Sequence, residues 1–80
     1  MPNTINISII AENLTRAKIQ RDLAKAYASC AKSYAENGRD DLAMDADYFY
    51  AVQLKNCKSY IGLARYFRRS ENNGKIQRYP

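Results

Sequence analysis

Apolar positions along most of this chain recur with the period of a helix. From about Ala11 or Asn13 to Asn37, two stripes run side by side at 100° per residue. Ile19, Leu23, Tyr27, Cys30 and Tyr34 form one of large residues, and Ala17, Ala24, Ala28, Ala31 and Ala35 form one of small residues. Lys18, Asp22, Lys25, Lys32 and Glu36 gather on the remaining side. The apolar arc is about 200° wide, more than one neighbouring helix covers. Alanine admits a second helix at close range, and the large stripe then needs another neighbour.

A second periodic stretch starts near Asp41 and runs to about Arg69. Leu42, Ala43, Ala46, Phe49, Tyr50, Leu54, Cys57, Tyr60, Ile61, Ala64 and Phe67 hold one face throughout. Unbroken phase predicts one long helix. The alternative is a break around residues 56–59, with Ser59 capping a third helix and Gly62 lowering propensity. Off the main face lie Tyr48, Val52, Leu63 and Tyr66, a second apolar set free to meet a partner.

Between the two stretches sits Glu36-Asn37-Gly38-Arg39-Asp40-Asp41. Gly38 can take the left-handed conformation that ends a helix, and Asp40 or Asp41 can cap the next one. The expected fold is all-α, an antiparallel helical hairpin in a single domain spanning residues 1–80. The ends are less periodic. Ile5, Ile7 and Ile9 alternate with Thr4, Asn6 and Ser8, which predicts a short strand, or else an arm with Ser8 or Asn13 capping the first helix. Residues 74–79 follow a Ser-Glu-Asn-Asn-Gly break and read as a second short strand or a tail.

Size sharpens the picture. A hairpin of 80 residues is thin and buries little, so a third element or a second copy is expected to complete the core. The chain has no apolar run long enough to span a membrane, and its first residues do not resemble a signal peptide. These features suit a cytoplasmic protein. Cys30 and Cys57 would sit about 15 Å apart along a straight hairpin, too far to bridge, and both fall on apolar stripes as buried thiols.

The net charge of +5 is uneven. Residues 16–35 carry +4, residues 36–47 carry −4 and residues 48–80 carry +6. Folding back brings Arg16, Lys18, Arg21 and Lys25 beside Lys55, Lys58, Arg65, Arg68 and Arg69. One end becomes basic and the turn end acidic. Helix dipoles and solvated pairs such as Lys18–Asp22 and Lys32–Glu36 account for part of this. The rest provides a surface for phosphates or an acidic protein. Residues 60–79, where Tyr60, Tyr66, Phe67 and Tyr79 interleave with Arg65, Arg68, Arg69, Lys75 and Arg78, suit nucleic-acid stacking or a protein interface.

Chemistry has little to work with. There is no histidine, and two cysteines at this spacing make no zinc site. The glycines form no phosphate loop, and Asp40, Asp41, Asp45 and Asp47 lack calcium-loop spacing. Catalysis, a cofactor and a resident metal are not expected.

Two local resemblances exist. Ala31, Tyr34, Gly38 and Ala43 resemble the middle of a tetratricopeptide repeat, over less than half the chain and with no second copy. The order strand, helix, turn, helix resembles a ribbon-helix-helix DNA-binding dimer, which would make Thr4, Asn6 and Ser8 the base readers. Against that pattern, the first helix is about twice too long and Asp45 falls where an apolar residue belongs. Neither family is assigned.

The expectation is a non-enzymatic accessory or inhibitor protein, of the kind phages and mobile elements encode. It would dock on or occlude a protein partner through Tyr48, Val52, Leu63 and Tyr66, with a homodimer compatible. The alternative is nucleic-acid binding through Arg16, Arg21, Lys25, Lys55, Lys58, Arg65, Arg68, Arg69, Lys75 and Arg78.

Overall fold

The computed structural model describes the backbone of residues 4–77 and the side chains of residues 5–70. Two helices, α1 (Thr4–Glu36) and α2 (Asp40–Gln77), lie antiparallel and pack along their length. The Cα envelope measures 65 × 18 × 12 Å, a rod two helices wide and one deep.

The turn is built from the residues that signalled it. Gly38 has φ 72°, the left-handed region. Its amide donates to the Ala35 carbonyl at 3.1 Å, and that of Arg39 reaches back to the Tyr34 carbonyl at 2.8 Å. This crossed pair is the Schellman ending of a helix and satisfies two of the carbonyls that α1 would otherwise leave open. The cap of α2 differs from expectation. The Arg39 carbonyl accepts the first bond, from the Ala43 amide at 2.9 Å, so Arg39 holds the cap position. Asp40 and Asp41 fall in the first turn, where their charge complements the helix dipole.

Three expectations about the elements are corrected. Residues 4–10 are the opening turns of α1, and the described residues contain no strand. Seven residues are too few to separate a period of two from one of 3.6, since Ile5 and Ile9 also share a helical face. Extending an existing helix costs little compared with nucleating a strand pair. Asn13 therefore caps nothing: it is buried inside α1 and its Nδ2 donates to the Ile9 carbonyl at 3.0 Å. At the other end residues 74–77 continue α2, and residues 78–80 lie outside the described part. The second helix is unbroken, and Ser59 spends its hydroxyl on the Lys55 carbonyl, one turn back within it.

The seam between the helices is made of small residues. Ala17, Ala24 and Ala31 of α1 are buried, seven residues apart. Opposite them Ala43, Ala46, Cys57 and Ala64 of α2 are buried. Half-buried Tyr50, Gln53, Tyr60 and Phe67 complete an alternating three-and-four spacing, the spacing of a supercoiled helix pair. Among the described residues no large side chain is fully buried. Ala17, Ala24 and Ala31 thus claim the partner helix while Ala28 and Ala35 stay exposed, and of the large stripe only Tyr27 is half-covered.

Candidate functional site

Helical phase divides each helix into two flanks beside the seam. Shallow grooves confirm which residues share a side. One groove is lined by Tyr27, Cys30, Tyr34, Leu42, Asp45, Ala46 and Phe49. The other is lined by Ala28, Ala31, Lys32, Ala35, Ala43, Asp47 and Tyr50. Tyr27 stacks on Phe49 at 5.4 Å between ring centres, which fixes the register of the hairpin about Gly38.

The first flank is apolar. From α1 it presents Ile19, Leu23, Cys30 and Tyr34, all exposed. From α2 it presents Leu42, Phe49, Val52, Leu63 and Tyr66. Tyr48, Val52, Leu63 and Tyr66, the expected protein-binding set, fall within an arc of about 60° at 100° per residue. Three of them are open to solvent, at 66% for Tyr48, 46% for Leu63 and 63% for Tyr66, while Val52 is half-buried. Edge-on ring contacts join Tyr48 to Phe49 and Tyr66 to Phe67. Charge is sparse on this flank. Arg16 and Glu12 close on each other in a salt bridge, and Asp45 stands at the turn end.

The second flank is basic. Lys18, Lys25 and Lys32 recur at seven residues along α1, with Arg21 beside them. On α2, Lys55, Lys58, Arg65, Arg68 and Arg69 occupy an arc of about 140° on the same side. Asp22 stands among them midway along α1, and Glu36, Asp40 and Asp47 offset them at the turn end. The expected pairs Lys18–Asp22 and Lys32–Glu36 do not form: the ion pairs among the described side chains are Arg16–Glu12 and Arg39–Asp41. Both join exposed groups and contribute little to stability.

The structure therefore sorts the expected residues. Arg21, Lys25, Lys55, Lys58, Arg65, Arg68 and Arg69 come together, whereas Arg16 sits on the apolar flank. The side chain of Lys75 and all of Arg78 lie outside the described part. Lys18 and Lys32 join the basic flank, and their seven-residue spacing with Lys25 was the available signal. Ile19, Leu23 and Tyr34, the stripe expected to need a further neighbour, join the apolar one, as does Phe49 from the main face of α2. The reading of Cys30 as buried is corrected: it is exposed, whereas Cys57 is buried in the seam. The interleaved Tyr and Arg residues of 60–69 spread around the helix at 100° per residue: Arg65 and Arg68 turn away from Leu63, while Tyr66 and Arg69, three residues apart, remain neighbours at the border.

Among the described residues, no cluster of acidic or sulfur-bearing side chains is arranged to hold a metal. No helix there is long and apolar enough to cross a membrane. The structural basis for the ribbon-helix-helix resemblance is gone, since Thr4, Asn6 and Ser8 are helical. Comparison of the chain with family models, with curated proteins and with solved structures found no match.

Proposed function

We propose that this chain is a non-enzymatic binding protein that acts by docking its apolar flank on a protein partner, in an accessory or inhibitory role. The observation that carries the reading is the set of large apolar side chains left exposed on one flank, Leu63 and Tyr66 of α2 with Ile19 and Leu23 of α1. Exposed apolar residues scattered over all sides are ordinary, but several large ones gathered on one flank suit an interaction surface. Tyrosine suits such a surface because it brings a large area at a low cost in rotamer entropy.

The test is capture by the tagged chain from the cells that make it, with and without nuclease, beside a Leu63→Asp/Tyr66→Asp variant. Both positions are exposed, so the helix tolerates the change. Nuclease-resistant capture lost in the variant supports the reading, and capture unaffected by the variant refutes it.

A second reading is favoured by the segregation of charge. A nucleic-acid-binding regulatory protein would lay the basic flank along phosphates. Tyr66 turns toward the apolar flank and Tyr48 stands at the edge of the basic one, so contact would be mainly to the backbone of a duplex rather than by stacking on single-stranded bases.

A further inference from the structure

We infer that the apolar flank is covered by a second copy of this chain, laid antiparallel across the first about a two-fold axis near Leu23. The inference rests on the docking reading and names its partner.

Four observations lead there. The fold itself lacks cover: among the described residues those buried are alanines, Cys57 and Asn13, and the large apolar side chains are left half out or more. A surface that the chain's own stability needs covered must be covered wherever the chain is folded, and only another copy is always present. The flank is also large enough. From Leu42 to Tyr66 it runs about 36 Å, and across two helices it is 18 Å wide. That gives a footprint of about 650 Å², close to the roughly 800 Å² per partner of a stable complex.

Charge then selects the orientation. Arg16 is on this flank but is paired with Glu12; Lys18, Arg21, Lys25, Lys32, Lys55, Lys58, Arg65, Arg68 and Arg69 lie on the other, so two copies meet without opposing them. Along the rod, residues 36–47 are acidic, with Asp45 on the flank itself, while Arg65, Arg68 and Arg69 are at the far end. An antiparallel pair places each acidic turn beside the other copy's basic end, whereas a parallel pair puts like ends together. Shape agrees. The groove lined by Leu42 and Phe49 is at the turn end, and exposed Leu63 and Tyr66 protrude at the other. In an antiparallel pair each protrusion meets the other copy's groove, so the contact is made twice, the self-complementary arrangement that a two-fold requires. By the register that stacks Tyr27 on Phe49, Leu42 lies level with Tyr34 and Tyr66 with Ile10. The midpoint of the flank is near Leu23, which there meets its own copy.

Sedimentation equilibrium of the full chain at tens of micromolar reads the assembly directly. A species of twice 9.2 kDa is expected. Leu23→Glu puts two carboxylates together at the axis and is expected to weaken the dimer by at least about 100-fold. Should that variant fail to fold, a Leu23→Cys/Cys30→Ser chain keeps the test open. On mild oxidation it is expected to form a covalent dimer through residue 23. A monomer at 100 micromolar overturns the inference, as does a dimer that withstands Leu23→Glu or one whose residue-23 thiols do not cross-link. None of these outcomes refutes docking on another protein, which falls only if Leu63→Asp/Tyr66→Asp leaves partner capture intact.

Discussion

The same substitution, glycine to alanine, should move stability in opposite directions at two places in this chain. At Gly38 an added Cβ would meet nothing within 4 Å, so Gly38→Ala creates no clash. Its cost is conformational: φ is 72°, and a left-handed residue with a Cβ costs about 1–2 kcal/mol. The variant also narrows the unfolded ensemble, which returns about 0.4–1 kcal/mol. The net loss is about 1 kcal/mol. At Gly62, on the exposed outer surface of α2, an added Cβ again meets nothing within 4 Å. There the backbone is helical, and alanine gains about 1 kcal/mol in propensity. For a domain of this size about 1 kcal/mol shifts Tm by roughly 4–8 °C. Gly38→Ala and Gly62→Ala should thus melt about 8–16 °C apart on either side of the parent. Circular dichroism at 222 nm measures this, with all three chains at one concentration because self-association would shift every Tm. A Gly38→Ala chain that melts at or above the parent temperature would refute the Schellman turn and the hairpin built on it.

Ala24→Leu forces a large side chain into the alanine seam and should cost about 1–3 kcal/mol by thermal melting, whereas Ala51→Leu at an exposed position should stay within about 0.5 kcal/mol. Gln20 and Gln53 each bury an Oε1 with no hydrogen-bond partner. Gln53→Met keeps the length, removes the orphaned oxygen and should raise stability by about 1 kcal/mol in the same assay. If the basic flank binds duplex nucleic acid through about four phosphates, log K should fall with log salt at a slope near −3.6 in fluorescence anisotropy. Replacing Lys18 and Lys25 with Ala should lower that slope toward about −1.8, and a salt-independent affinity would exclude phosphate contact.

The hairpin was legible because two independent signals agreed: periodic phase on either side of Gly38, and turn chemistry at it. Helix ends were not, because the alternation of Ile5, Ile7 and Ile9 is short enough to fit either period. The stripe pattern also separated a small-residue face from a large-residue face on α1, and it implied that one would be left over. It did not say which neighbour covers which stripe, so Cys30, on the large stripe, was placed inside. Cys57, in phase with Ala43 and Ala64, was placed correctly. Tyr48, Val52, Leu63 and Tyr66 stand out in the sequence because they fall off the main face of α2 in a common phase. That Leu63 and Tyr66 share a flank with Ile19 and Leu23 depends on the pairing register between helices, which no periodicity within one helix contains.

That same register changes what the composition means. Read linearly, Tyr and Arg alternate through residues 60–69 and resemble one mixed recognition surface. On the helix, Arg65 and Arg68 turn one way and Leu63 the other, with Tyr66 and Arg69 neighbours at the border, so attraction for anions and burial of apolar area act mainly on different flanks. Each can then be occupied without displacing the other. Two chains joined through their apolar flanks would hold their basic flanks outward on opposite sides, roughly parallel to one another. A polyanion bound on one side would leave the other free for a second segment, and linking two such contacts raises avidity well beyond either alone. The dimer and the nucleic-acid reading are therefore coupled. Leu23→Glu, which touches no cation of the basic flank, should reduce binding to long duplexes far more than binding to a duplex short enough to occupy one flank.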